Sequence, residues 1–146
     1  MPWTLDVVEF PALVIADDGW VEEIGREEDL SAWTPSAIAK YSKERVLLYD
    51  SAGRAWQIDN IASVSKPKIS TRLSALFFSR KMPVKIAIRP IMEAPLEAVR
   101  SALFTAIDAD DDALTQFTEA DDLKEAVQKT DSFAAMIRVL KEKRAI

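Results

Sequence analysis

The sequence predicts an α+β fold, in which an antiparallel sheet of about five or six strands, built from hairpins, precedes a layer of three helices. Short apolar stretches with a period of two fill roughly residues 3–90, and turn-forming residues separate them. Over roughly residues 95–143 the hydrophobic period changes to about 3.6. A chain of 146 residues has the length of one domain, so we expect a single domain over residues 1–146. Because strands come first and helices last, it should have a β-rich part at 1–92 and a helical part at 93–146.

Residues 45–61 predict a β-hairpin at the centre of the sheet. Asp50 and Gly53 suit the first and fourth positions of a type I turn, which favour a side-chain acceptor and a glycine respectively. After the turn, Trp56 and Ile58 alternate with polar residues, so we expect one buried and one exposed face on the second strand.

The other elements before Pro90 follow from similar local patterns. Asp18-Gly19 is a strong hairpin-turn signal, and Thr34-Pro35 suits the N-cap and first position of a helix. The expected elements are a first strand at 3–10, a hairpin of 13–16 and 20–24, a short helix from 35 to about 41, an irregular or edge segment at 69–79 and a strand at 84–88.

Three helices are expected from Pro95 onward, each with an apolar stripe. Glu97 lies in the first turn of the first helix, where the helix dipole favours an acid. We expect Thr118 or Asp121 to cap the second helix and Asp131 to cap the third. The residues expected to face inward are Leu96, Val99, Leu103 and Ile107, then Leu123, Ala126 and Val127, then Phe133, Met136, Ile137 and Leu140.

The residue types present restrict the chemistry of the chain. It contains no histidine, no cysteine and only three glycines. A Ser-His-Asp or Cys-His nucleophile and a zinc site of the usual nitrogen and sulfur ligands are therefore excluded. Each glycine lies beside a turn signal rather than in a phosphate-binding loop. The sequence thus predicts a non-enzymatic protein without a cofactor.

Composition also bears on the compartment. No apolar run approaches the roughly 18 residues that a membrane span requires. The first residues, Met-Pro-Trp-Thr-Leu-Asp, lack the basic and apolar regions of a secretory signal, and the absence of cysteine is compatible with the cytosol. We therefore expect a cytoplasmic protein without a membrane span, which is a monomer or a weak homodimer.

Acidic residues dominate the chain before Leu30, where Arg26 is the single basic residue. An acidic face attracts a basic partner and orients it, although such a face can also serve solubility alone. From the acidic hairpin we predict Asp17, Asp18, Trp20 and Glu22 as partner contacts. The acids concerned are Asp6, Glu9, Asp17, Asp18, Glu22, Glu23, Glu27, Glu28 and Asp29.

A basic block follows between Lys66 and Arg89 and contains no Asp or Glu. These charges either meet a partner or balance acidic neighbours within the fold. Because the whole chain carries a net charge of −5, it repels polyanions, so we favour a protein partner over nucleic acid. The predicted contacts in this block are Arg72, Phe78, Arg80, Lys81, Lys85 and Arg89.

The stretch 108–119 resembles the calcium-binding loop of an EF-hand. Asp108, Asp110 and Asp112 stand at its first, third and fifth positions and Glu119 at its twelfth, with helix-forming sequence on both sides. Ala113 stands where an EF-hand has glycine. The resemblance implies a calcium site, and the alternative is an acidic connection between two helices.

Two weaker patterns complete the candidates. A carboxylate pair for hydrolysis would come from Asp50, Asp59, Glu22 and Glu23. The tryptophans, Trp3, Trp20, Trp33 and Trp56, would either stack on a ligand or fill the core.

Taken together, these patterns favour a small protein-interaction module of the inhibitor or immunity-protein type that binds a charged protein partner. The alternative is a calcium-binding protein that uses residues 108–119.

Overall fold

A computed structural model describes residues 3–63, 81–92, 94–109 and 114–146, and confirms the predicted α+β class. The strands are β1 (Ala12–Ala16), β2 (Val21–Ile24), β3 (Ala32–Trp33), β4 (Val46–Asp50), β5 (Ala55–Ser63) and β6 (Met82–Pro90). The helices are α1 (Pro35–Tyr41), α2 (Pro95–Ala109), α3 (Ala120–Gln128) and α4 (Phe133–Glu142), and the short 3₁₀ helices are Leu5–Val7 and Glu27–Leu30. No helix in these ranges is long and apolar enough to cross a bilayer.

The strands form one antiparallel sheet in the order β2-β1-β4-β5-β6-β3. The two predicted hairpins lie side by side in it, because β1 pairs with β4 as well as with β2. A β-bulge at Asp59 shifts the register between β5 and β6, so that Ile58 and Ile61 face the same core. The hairpins thus form the middle and one edge of the sheet.

Each face of the sheet is covered by its own core. Helices α2, α3 and α4 cover one face, where Leu13 and Leu47 pack against Leu103. On the other face, Val14 and Leu48 pack with the N-terminal segment, β3 and α1. Strands β1 and β4 are therefore buried on both faces, which explains their continuous apolar sequences.

The helices do not cover the whole sheet, and one face of strands β5 and β6 is open to solvent. In β6, Val84, Ile86 and Ile88 are buried, while Lys85 and Arg89 are exposed. The predicted alternation in β5 and β6 is confirmed, since the helical layer lies over β1, β4 and the start of β5.

The turns of the two hairpins are closed by the same kind of hydrogen bond, from a glycine N–H to the carbonyl of the residue three positions earlier. Gly53 N–H donates to the Asp50 carbonyl at 3.0 Å, and Gly19 N–H donates to the Ala16 carbonyl at 3.1 Å. Each glycine has a positive φ, of 79° and 106° respectively, which is a conformation that side chains disfavour. Both predicted turns are confirmed.

The prediction of a first strand at residues 3–10 is wrong. Trp3 forms an isolated bridge to Ile88, and Leu5–Val7 is a 3₁₀ helix. Leu5 and Val8 are the buried residues of this segment, and their spacing of three matches the 3₁₀ period rather than that of a strand. Strand β3, which pairs with β6, was not predicted, because a strand of two residues carries no periodic signal.

The helices begin close to the predicted residues, but their caps differ. Thr34 Oγ1 accepts from Ala37 N–H at 3.2 Å, as expected. At α4 the cap is Ser132, whose Oγ accepts from Ala135 N–H at 3.2 Å, and not Asp131. At α3 the N-cap position is Glu119, whose side chain makes no capping bond, so the prediction of Thr118 or Asp121 is wrong. The irregular or edge segment predicted at 69–79 lies outside the described residues.

Candidate functional site

A cleft of about 500 Å³ opens where the two ends of the sheet approach each other. Its walls come from β2 and from β3, which are the first and last strands in the sheet order, so the sheet must curl to bring them together. The 3₁₀ helix Glu27–Leu30 and helix α1 complete the walls. The lining residues are Trp20, Glu22, Glu23, Ile24, Glu28, Asp29, Leu30, Ala32, Trp33, Thr34, Ala37, Tyr41 and Lys81.

Three aromatic side chains form the apolar wall of the cleft. The ring centroids of Trp20 and Tyr41 are 4.9 Å apart, and Trp33 contacts both rings edge-on at 5.6 Å and 5.7 Å. Trp33 is buried, and its indole N–H donates to the Leu30 carbonyl at 2.7 Å. Trp20 and Tyr41 are only half-buried, so they offer aromatic surface to a ligand.

Asp18 holds this aromatic wall in position from the hairpin turn. Its carboxylate accepts from the Tyr41 hydroxyl at 3.0 Å, from the Trp20 backbone N–H at 3.1 Å and from Lys40 Nζ at 2.6 Å. Lys40 Nζ also lies 5.3 Å from the centre of the Tyr41 ring. These contacts join the turn between β1 and β2 to helix α1.

These contacts change the pKa values of the groups involved. Burial acts to raise the pKa of Asp18, but the hydrogen bonds from Lys40, the Trp20 N–H and Tyr41 outweigh it, and the pKa lies below 3.8. The hydrogen bond to Asp18 raises the pKa of Lys40. Burial, followed by the hydrogen bond to Asp18, raises the pKa of Tyr41 above 10.0. Asp18 is therefore ionised, and Tyr41 neutral, across the physiological range.

We expect Asp18→Asn to lower the free energy of unfolding at neutral pH by about 1 kcal/mol, a value that allows for solvent screening at the exposed Lys40 ammonium. Because the folded pKa of Asp18 is depressed, its stabilisation is present above about pH 4 and is lost as pH falls through the folded value. Urea unfolding at a series of pH values measures this. A difference between wild type and variant that persists unchanged at low pH would contradict the prediction.

The rim of the cleft is acidic. Glu22, Glu23, Glu28 and Asp29 all line it. The Glu22 carboxylate accepts from the Trp20 indole N–H at 3.1 Å, and Glu23 pairs with Lys141 of α4 at 3.1 Å. Asp29 pairs with exposed Arg26 at 3.7 Å, a weak contact at the surface. The negative charge at the rim is thus only partly neutralised within the described residues.

Of the four residues of the acidic hairpin that were predicted to contact a partner, Trp20 and Glu22 line the cleft. Asp18 supports the wall from behind, while Asp17 lies apart and accepts from Arg45 Nε and Nη2 at 3.1 Å. The sequence did not identify Tyr41 as a site residue, and it named Trp33 only as one of four tryptophans that would either stack on a ligand or fill the core. Their aromatic character after an acidic run was the available signal, but sequence did not show that they meet Trp20.

The predicted basic contacts do not form one surface among the described residues. Lys81 is exposed and lines the cleft. Lys85 and Arg89 lie on the open face of β6, where Arg89 Nε donates to Asp59 at 2.9 Å. Arg72, Phe78 and Arg80 lie outside the described residues.

The calcium prediction is only partly covered by the structure. Asp108 is exposed on the last turn of α2 and forms an ion pair with Lys124 of α3, and Glu119 precedes α3. Asp110 and Asp112 lie outside the described residues. Within the described ranges, no group of three Asp or Glu side chains is placed to hold a metal ion. The calcium site therefore stays a prediction.

The remaining carboxylates and tryptophans have different surroundings. Asp50 has no exposed surface, and its carboxylate accepts from the backbone N–H groups of Ala52 and Arg54 and from the Trp56 indole. Asp59 is engaged with Arg89 on the open face of the sheet, away from Glu22 and Glu23. Trp56 is buried, as expected of a core residue, while Trp3 is 48% exposed.

The cleft thus combines an aromatic wall, an acidic rim and partial enclosure by two strand edges. Aromatic faces and carboxylates are the groups that attract a cationic side chain. Comparison with protein-family models, with curated proteins and with solved structures finds no match for this chain.

Proposed function

We propose that the protein is a non-enzymatic, cytoplasmic binding module that receives a basic segment of a partner protein in the cleft between β2 and β3. The observation that carries the proposal is the combination of Trp20 and Tyr41 with the carboxylates of Glu22 and Glu28 around one opening. An inhibitor that neutralises a basic protein would use a surface of this kind.

The chemistry of the walls supports a cation rather than a neutral ligand. An ammonium or guanidinium group is attracted by the face of an aromatic ring and by nearby carboxylates, and each attraction strengthens when water is partly excluded. The contact of Lys40 with Asp18 and the Tyr41 ring shows that this wall already holds an ammonium group on one side. An arginine also stacks flat on indole rings, which favours it over lysine.

The charge of the chain supports the same partner. A protein with a net charge of −5, and with its acids concentrated before Leu30, attracts a basic partner from a distance. The rim carboxylates then orient the partner over the aromatic wall, where desolvation makes each contact count for more.

The test uses an octapeptide of alternating arginine and valine, titrated into the full chain by calorimetry, and compares it with the same peptide carrying neutral citrulline in place of arginine. We expect binding of the arginine peptide only, and weaker binding as the Debye length falls from about 30 Å to about 3 Å with added salt. Equal binding of the two peptides, or no binding of either, would refute the proposal.

Substitutions at residues of the cleft test whether the arginine peptide binds there. We expect Trp20→Ala to weaken binding about tenfold, and Glu22→Gln and Glu28→Gln about two- to fivefold each. Lys81→Ala should strengthen it about twofold, because it removes a like charge from the rim. Glu125→Gln is the matched control, since Glu125 is an exposed acid on α3 that does not line the cleft, and it should leave the affinity unchanged.

A further inference from the structure

We infer that the partner segment binds as an extended strand that pairs with the outer edge of β2. This inference rests on the proposed function and adds to it the conformation of the ligand. The cleft lies along β2, which ends the sheet and pairs on one side with β1. An extended peptide that adds to such an edge gains backbone hydrogen bonds as well as side-chain contacts.

The register of the hairpin shows which backbone groups point outward. Ala16 N–H donates to the Trp20 carbonyl at 2.8 Å, so these two residues form a hydrogen-bonded pair. In an antiparallel ladder such pairs alternate, which makes Glu22 opposite Val14 the next one. The N–H and C=O groups of Val21 and Glu23 therefore point away from β1.

Among the described residues, the backbone N–H and C=O groups of Val21 and Glu23 make no hydrogen bond to another backbone segment. Together they offer two donors and two acceptors along the outer edge of β2, and Glu23 among them lines the cleft. A strand of about four residues, at about 3.3 Å per residue, would cover them. The consecutive residues Glu22, Glu23 and Ile24 of β2 all line the cleft, so the cleft runs along this strand.

The acidic side chains of this edge decide what can pair with it. Charged residues on an edge strand discourage pairing with strands of like charge. Two copies of this chain joined through β2 would bring Glu22 and Glu23 of one copy close to those of the other, and like charges on paired strands repel. A basic strand instead gains from the same side chains, so the edge selects a partner of opposite charge.

The ligand test uses two further forms of the arginine and valine octapeptide, methylated on the backbone nitrogens of all arginines or of all valines. Both keep the charge, but each removes the donors from one edge of the peptide strand. We expect at least one of them to bind about tenfold more weakly than the parent peptide. If both bind as tightly as the parent, strand addition is wrong, while the preference for arginine over citrulline would still support the cationic cleft.

The protein test compares Glu23→Pro with Glu23→Ala. Both remove the carboxylate, but proline also removes the outward N–H without breaking a bond to β1, which an edge strand tolerates. We expect the proline variant to bind the peptide about tenfold more weakly than the alanine variant. Equal affinities in two folded variants, checked by thermal unfolding, would overturn the inference. If the proline variant does not fold, the methylated peptides decide.

Discussion

Asp50→Ala is expected to lower the free energy of unfolding by about 3 kcal/mol, because it leaves buried donors without an acceptor. Asp50 has no exposed surface, and its Oδ2 accepts from the Trp56 indole N–H at 3.1 Å and from Arg54 Nε at 3.2 Å. Its Oδ1 accepts from the backbone N–H groups of Ala52 and Arg54. One carboxylate therefore holds both the central turn and the following strand.

The same carboxylate also anchors the N-terminal segment to the sheet. Asp50 Oδ2 accepts from Glu9 N–H at 3.3 Å, and the Arg54 guanidinium that it binds donates to the Val7 carbonyl at 2.9 Å. The Arg54 side chain is half exposed, so we assign most of the expected loss to the buried indole and backbone donors rather than to the ion pair.

Denaturant unfolding measures this effect as a lower midpoint with an unchanged slope. Asp59→Ala is the matched control, since Asp59 is also an acid of the central hairpin in an ion pair, but it lies exposed on the open face of the sheet with Arg89. Asp59→Ala should lower the free energy of unfolding by less than about 1 kcal/mol. Equal losses for Asp50→Ala and Asp59→Ala would show that burial of Asp50 is not what matters.

The second large effect concerns the helical layer. Leu103 of α2 has no exposed surface and packs with Leu13 and Leu47 of the central strands. Leu103→Ala is expected to lower the free energy of unfolding by about 3 kcal/mol, because the loss of buried apolar surface and the cavity left behind both destabilise the fold. The cost arises at the contact between the helices and the sheet.

Leu96→Ala in the same helix provides the comparison for Leu103→Ala. Leu96 is only partly buried at the edge of the same core, where solvent can fill the space, so we expect a loss of about 1 kcal/mol. Helix propensity is nearly the same for the two substitutions, which leaves packing as the difference. A small loss for Leu103→Ala would mean that α2 does not pack on the sheet as described.

Local signals in the sequence were sufficient for the hairpins and helices. Asp50 and Gly53 specify their turn within four residues, and the stripe of Val99 and Leu103 specifies the inward face of α2. Thr34 Oγ1 needs only the nearby Ala37 N–H to act as a cap. Such features depend on contacts between neighbours in the chain, so they can be predicted without knowledge of the fold.

The strand order and the cleft depend on contacts between distant parts of the chain. Trp20, Trp33 and Tyr41 come from separate elements, and they meet because the curled sheet brings β2 near β3. No local pattern encodes that approach, since the energy that favours it comes from burying both faces of β1 and β4 between distant segments. Local patterns therefore predict the two hairpins, the helices and the acidic charge of the first hairpin, whereas packing between residues far apart in the chain places that charge beside an aromatic wall.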